Sequence, residues 1–203
     1  MKAAGITLAA AIILPSAILI GAVMLVSMLA SGSFGVGSVT NPIGPPVNIG
    51  GINAPGPIVT LDEAVALGTP PLVSCSVSAS ILLAQQYYES GYNPSAVSPA
   101  GAIGLSQFEP GTFTAYDQPV PPEGAKPPTP LNPVDSAWAE ARYLCSLGIS
   151  SNATNALIAY NCGNVSSACI AASTPYAQEI LALATKIATV NKGKVVTSIG
   201  AII

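Results

Sequence analysis

After Lys2 the next charged residue is Asp62, so residues 3–61 carry no charge at all. Within that stretch residues 6–30 form a nearly unbroken apolar run of Ala, Ile, Leu, Val and Met. As a helix, about 25 residues at ~1.5 Å rise reach ~37 Å, enough to cross a ~30 Å hydrocarbon core with some tilt. Pro15 is tolerable in such a helix, because local adjustments can satisfy the freed backbone groups again. A secretory signal has an apolar core of only ~7–15 residues and a small-residue cleavage site. This run is longer, and Met28-Leu29-Ala30-Ser31 matches such a site poorly. An uncleaved transmembrane anchor over residues 1–31 is therefore favoured over a removed signal. Lys2 and the amino terminus supply the nearby positive charge, which predicts a cytoplasmic N-terminus and an extracytoplasmic remainder. The expected location is the cell membrane, in a single pass.

Residues 32–72 are dominated by Gly, Pro, Ser and Val, including Asn41-Pro42-Ile43-Gly44-Pro45-Pro46 and Asn53-Ala54-Pro55-Gly56-Pro57. Repeated Pro and Gly interrupt any period, which reads as a semi-extended spacer, with one short helical turn over 62–67. A globular domain is expected over 73–190. Ser76 or Ser78 caps a helix running to Glu89 or Ser90, and Gly91 ends it. A turn-rich stretch over 98–104 precedes a short helix within 105–114, and 117–133 is a Pro-rich surface loop. Further helices are predicted over 134–147, from 153 to at least 160, and over 175–190. The inner face of the 134–147 helix is read as Ala137, Trp138, Ala141 and Leu144 or Cys145. No alternating strand pattern stands out. The fold class is mainly α, in a small domain near 115 residues, with an apolar tail over 191–203 too short to span a bilayer.

At 203 residues there is room for one compact domain plus accessory segments. Charged residues make up only 7%, against roughly 25% in an average soluble chain. No basic stripe exists, so no nucleic-acid partner is expected. The absence of any histidine excludes a Ser-His-Asp triad, a Cys-His dyad and a His-based metal site. No metal or cofactor is expected, and chemistry must rest on carboxylates, hydroxyls, amides or thiols. Cys75, Cys145, Cys162 and Cys169 contain no CxxC pair. An even number in an exported chain favours disulfides. Of three connectivities, Cys162 with Cys169 suits a local staple around Gly163 and Asn164, leaving Cys75 for Cys145; buried free thiols are the alternative.

The segment Tyr87-Tyr88-Glu89-Ser90-Gly91 sets a carboxyl at a helix C-terminus between aromatic neighbours. The negative end of the dipole and exclusion of water both disfavour its ionised form. A carboxylic acid still protonated near neutral pH is what protonation of a glycosidic oxygen needs. By itself a helix-terminal Glu is more often a solvated surface residue.

Later segments change that weight. Ser98-Pro99-Ala100-Gly101-Ala102-Ile103-Gly104-Leu105-Ser106-Gln107 follows closely, continued by Pro110 and Thr112. Ala159-Tyr160-Asn161-Cys162-Gly163 comes next, and then Tyr176. With Glu89-Ser90, these motifs resemble, in order, those of the soluble lytic transglycosylase family within the goose-lysozyme-like superfamily, over about 73–188. The placement of Cys75 and Cys145 is similar to that of exported actinobacterial relatives, in which the pair is bridged. The resemblance implies a lysozyme-like helical domain that acts on peptidoglycan glycan strands. It implies that Glu89 is the sole acid and base, cleaving the β-1,4 bond between N-acetylmuramic acid and N-acetylglucosamine to leave a 1,6-anhydro end. It further implies that Ser98 and Gln107 line the cleft, Tyr160 orients the acid, Asn161 shapes the same wall, and Tyr176 is a weaker candidate for a sugar subsite. Each has a plainer alternative: a turn at Ser98, backbone bonding by Gln107, packing by Tyr160 and Tyr176. Trp138 is read as core.

The sequence departs from the family in places. Ser106 stands where Met is usual, and Phe108-Glu109 replace a commonly apolar pair. Glu109 is a candidate to raise the pKa of Glu89 by like-charge repulsion, or it faces solvent. Glu109, Asp117 and Asp135 are the nearby acids that a hydrolytic mechanism could use. Two rivals are a hydrolytic lysozyme and a non-catalytic wall-binding module of a secretion, conjugation or phage apparatus.

Overall fold

A computed structural model describes residues 46–191. Two short strands, β1 (Val47–Ile49) and β2 (Ile52–Ala54), precede six helices: α1 (Gly56–Ala66), α2 (Ala79–Ser90), α3 (Pro110–Tyr116), α4 (Pro133–Ser146), α5 (Ala153–Cys162) and α6 (Ser167–Asn191). The domain is mainly helical, as the pattern predicts. The expected anchor over 1–31, the beginning of the expected spacer and the tail beyond 191 lie outside the described residues. Among the described residues no helix is long and apolar enough to cross a membrane.

Capping residues set the helix ends. Ser78 Oγ accepts the Ile81 N–H at 3.3 Å to start α2. At the other end Gly91 takes φ +60°. Its N–H reaches Tyr87 O at 3.0 Å, and the Tyr92 N–H reaches Gln86 O at 3.4 Å, the paired bonds of a left-handed helix stop. Asn132 Oδ1 caps α4 through the N–H groups of Val134 (2.8 Å) and Asp135 (3.2 Å). Asn152 caps α5 through the Asn155 N–H at 2.9 Å.

Three expectations are corrected. The 32–72 stretch is not spacer throughout: residues 47–66 form a hairpin and helix α1. Gly50-Gly51 both take positive φ, +60° and +91°, which suits the two-residue turn whose twist matches antiparallel strands. Ile49 pairs with Ile52 and Val47 with Ala54. Strands of three residues are too short to show a period, so the Gly-Pro punctuation reads as a linker. Ile58, Val59, Asp62 and Val65 lie on the buried face of α1, which packs on α2 and α4. Next, the predicted helix within 105–114 begins only at Pro110. The backbone before it turns left-handed at Gly104 (φ +83°) and Gln107 (φ +49°), which no α-helix accommodates. Finally, α6 begins at Ser167 and runs through Pro175. An interior proline costs about 3 kcal/mol, and the packing of α6 against α2 and α5 offsets it.

One core joins these elements, with Ile49, Leu82, Leu83, Leu144, Leu157, Ile158, Ile180 and Ile187 among its fully buried side chains. Trp138 belongs to it, with its ring so close to Gly68 that a Cβ there would lie 2.5 Å from it. Both expected disulfides are present. Cys75–Cys145 ties the chain before α2 to the end of α4, and Cys162–Cys169 ties the end of α5 to the start of α6.

Because Ile49 is fully buried, Ile49→Ala is expected to lower the unfolding free energy by about 2–5 kcal/mol. Urea denaturation measures this. An unchanged midpoint would place the hairpin outside the cooperative fold.

Candidate active site

The last two turns of α2 carry Gln85, Gln86, Glu89 and Ser90 toward the interior side of the helix, where α1, α4 and α6 pack. Glu89 is half-buried. Its Oε1 accepts a hydrogen bond from the Tyr176 hydroxyl at 2.5 Å. The Tyr176 oxygen in turn accepts from Gln85 Nε2 at 3.3 Å, so Gln85, Tyr176 and Glu89 form one directed chain. No other protein group among the described residues bonds the Glu89 carboxyl. Desolvation pushes its pKa up to about 7, partly opposed by the Tyr176 bond. Burial and the Glu89 charge both raise the Tyr176 pKa, so that phenol stays a donor at neutral pH.

Ser90 serves the neighbouring loop. Its Oγ donates to Leu105 O at 2.7 Å, pinning the 98–107 loop to the end of α2. Tyr160 pins the next residue, donating from its hydroxyl to Ser106 O at 2.8 Å. Tyr160 was expected to orient Glu89; the structure gives that contact to Tyr176 instead. Tyr160 remains close enough for the Glu89 charge to raise its own pKa, after burial and Glu140. Its ring packs against Tyr143, with centroids 5.0 Å apart.

Of the other predicted residues, Gln107 and Ser98 hold backbone in place and Asn161 links two helices. Gln107 Nε2 donates to Gly104 O (2.9 Å) and Ala96 O (3.3 Å). Ser98 Oγ accepts the Ala102 N–H at 3.0 Å, which closes a turn. Asn161 Nδ2 donates to Ser173 Oγ at 2.8 Å, linking α5 to α6 beside the Cys162–Cys169 bridge. Gly104 is needed for space as well as for its φ, since a Cβ there would sit 1.9 Å from Pro130 O. The Pro-rich 117–133 loop thus packs directly on the motif loop.

Of the two readings of Glu109, the solvent-facing one holds. Glu109 is exposed and is not among the groups that shift Glu89. Asp135 is buried and accepts the N–H groups of Ala125 (3.1 Å) and Thr129 (3.0 Å), folding the Pro-rich loop. The acid that feels the Glu89 charge is Glu140, fully buried on α4 and raised first by burial and then by Asp62, with Glu89 a smaller influence. Glu140 Oε2 accepts from Ser106 Oγ (2.6 Å) and from Gln86 Nε2 (2.9 Å), and Gln86 Nε2 also donates to Asp62 Oδ1 (3.0 Å). Sequence reasoning passed over Gln85, Gln86, Asp62 and Glu140. Two signals were available: an amide pair inside an apolar helix run, and a carboxyl on the Ala137–Ala141–Leu144 face.

A profile of the transglycosylase SLT domain matches residues 74–177, just over half of the chain. The chain belongs to this family. Among solved structures, the SLT chain is similar to the 70 kDa soluble lytic transglycosylase of Escherichia coli, at 22% identity and a TM-score of 0.48. That match covers 63% of this chain and 23% of the other. A second similar structure is the 70-kDa soluble lytic transglycosylase in complex with bulgecin A, at 21% identity and a TM-score of 0.41, covering 63% and 22%. The chain therefore spans less than a quarter of the length of these structures. No curated protein matches it. The SLT match begins after α1, so the hairpin, α1 and Asp62 are additions to the matched segment.

Tyr176→Phe removes the contact that lowers the Glu89 pKa, so that carboxyl is expected to titrate higher than about 7. Carbon-13 NMR of the Glu89 carboxyl reads the midpoint directly. A midpoint at or below the wild-type value would show that the phenol does not hold the carboxyl.

Proposed function

We propose that this chain is a peptidoglycan lytic transglycosylase with Glu89 as its only acid and base. The observation that carries the reading is the Tyr176–Glu89 pair: in an SLT domain, a half-buried carboxyl is held through one oxygen and pushed up to about 7. Near neutral pH such a group is divided between acid and carboxylate, and so serves both halves of a proton relay. Glu89 gives its proton to the oxygen between N-acetylmuramic acid and N-acetylglucosamine as the bond to the muramyl C1 breaks. The carboxylate that remains takes the proton of the muramyl 6-hydroxyl, whose oxygen closes on C1 to leave a 1,6-anhydro end. Tyr176 stays bonded to Oε1 through both steps and steadies the carboxylate between them, while Gln85 fixes Tyr176.

The placement of the other acids supports a substrate-supplied nucleophile. Two-carboxylate glycosidases need a second carboxyl facing the sugar or a water. Glu140 is fully buried with both Ser106 and Gln86 bonded to it, Asp135 is occupied by loop N–H groups, and Glu109 faces solvent. In the same reading Tyr160 and Gln107 hold the cleft wall, and Ser98 and Asn161 brace the turns behind it. The glycan strands of peptidoglycan are the substrate. Residues 6–30 anchor the chain in the cell membrane with the domain outside.

Digestion of purified peptidoglycan followed by mass spectrometry tests the mechanism. Muropeptides ending in anhydromuramic acid, lighter by one water than hydrolysis products, are expected. Glu89→Gln is expected to lower the rate by at least ~10²-fold. Reducing ends alone would identify a hydrolase, and undiminished cleavage by Glu89→Gln would remove Glu89 from the chemistry.

The pH profile follows from the sign of the shift. The donor is the protonated form, which predominates below about 7. The rate is therefore expected to fall as pH rises through that value, by ~10-fold per unit beyond it. A rate that stays level from about pH 6 to about pH 9 would contradict this assignment.

A further inference from the structure

Beneath the site lies a cluster that the proposed chemistry does not use. Asp62 on α1, Gln86 on α2 and Glu140 on α4 are all fully buried. Gln86 Nε2 bridges the two carboxyls, at 3.0 Å to Asp62 Oδ1 and 2.9 Å to Glu140 Oε2. Glu140 Oε2 also receives Ser106 Oγ at 2.6 Å, and Ser136 Oγ lies 3.1 Å from Ser106 Oγ. The far side of Ser106 belongs to the site, since its carbonyl receives the Tyr160 hydroxyl. A continuous path of hydrogen bonds thus runs from α1 through Asp62, Gln86, Glu140 and Ser106 to Tyr160.

The charges in this cluster do not balance as drawn. The ionisable groups that interact with Glu140 across the packing interfaces are Asp62 on α1, Glu89 on α2, Tyr160 on α5 and Tyr176 on α6. Tyr92, after α2, feels both Asp62 and Glu140. All of these are acids. The one arginine of the sequence, Arg142, donates instead to the carbonyls of Leu72, Tyr116 and Pro119. Two buried carboxylates without a cation would each carry a desolvation penalty of several kcal/mol and would repel one another. Asp62 Oδ2 and Glu140 Oε1 are buried with no partner, so each carboxyl keeps an oxygen able to carry a proton.

Resting on the transglycosylase reading, we propose that Asp62 and Glu140 are positioning residues, a proton-carrying pair that holds Ser106 and, through its carbonyl, the Tyr160 wall of the site. Ser106 fits this role because its hydroxyl donates to Glu140 while its carbonyl receives the Tyr160 hydroxyl. Asp62 fits it as a residue of α1, the helix that precedes the matched family segment.

Two sets of variants test the pair. Glu140→Leu removes the acceptor for Ser106, and Glu140→Gln keeps an acceptor oxygen without needing a proton. Glu140→Leu is expected to lower kcat by ~10-fold or more with little change in KM, and Glu140→Gln to recover most of that loss. Equal kcat in Glu140→Leu and wild type would overturn the positioning role, as would an equal loss in both variants. The second readout needs no activity and no leucine variant. Burial raises the pKa of both acids, so the native chain keeps protons that the unfolded chain releases. Their contribution to stability is whole below the ordinary carboxylate range near ~4 and is lost as pH rises through the native values. Wild type is therefore expected to lose urea resistance as pH rises above the ordinary carboxylate range. The double variant Asp62→Asn/Glu140→Gln, which keeps Glu89, is expected to lose distinctly less. The same pH dependence in both proteins would overturn the proton-carrying pair. If wild type released no anhydro ends, the transglycosylase reading would fail while this stability comparison still decided the pair.

Discussion

Helix α2 is packed on by α1, α4 and α6, and that enclosure governs the rest of the site. It takes water away from the last two turns of a helix whose sequence there is polar. A buried unpaired polar group costs about 1–3 kcal/mol, and each polar side chain carried inward here secures a protein partner through at least one of its atoms. Gln85 finds Tyr176 on α6, Gln86 finds Asp62 on α1 and Glu140 on α4, and Glu89 finds Tyr176 again. The same desolvation that imposes these pairings lifts the Glu89 carboxyl to about 7. Tertiary packing and acid strength are therefore one effect here: a helix end left in water would keep an ordinary carboxylate.

The loop facing this helix end is held from three sides. Ser90 takes the Leu105 carbonyl, Tyr160 takes the Ser106 carbonyl, and Glu140 takes the Ser106 hydroxyl. Gln107 then bonds back to Gly104 and Ala96. These contacts hold a backbone that turns left-handed twice within four residues, at Gly104 and Gln107, the second at a residue with a Cβ. A left-handed conformation at such a residue costs roughly 1–2 kcal/mol and persists where its surroundings impose it. Ser98 and Gln107 thus fix the backbone of the motif loop, and Asn161 ties α5 to α6 through the Ser173 hydroxyl.

How legible this was depended on the range of each interaction. The α2 caps, the α4 and α5 starts and both disulfide pairings were readable, since each rests on residues close in sequence or on a small set of cysteine pairings. The hairpin was not, because three-residue strands show no period and Gly50-Gly51 sits among other Gly and Pro residues. Tyr176 was ranked below Tyr160 because nothing local distinguishes a tyrosine that meets a carboxyl 87 residues earlier from one that packs. Glu140 was hidden among the alanines of α4, where a helical pattern shows the inward face without showing that a carboxyl on it has partners.

The sequence by itself determined which residue types were available for chemistry. Without histidine, the chemistry was left to carboxylates, hydroxyls, amides or thiols, and the order of the motifs pointed to Glu89. It also determined both ends of α2 and the starts of α4 and α5, since capping acts over three or four residues. Only the tertiary structure decided which hydroxyl holds Glu89, which acid sits beneath it, and that the segment ahead of the matched family region completes the core. Those outcomes depend on desolvation and on contacts between distant helices, and such effects exist only once the chain has enclosed α2.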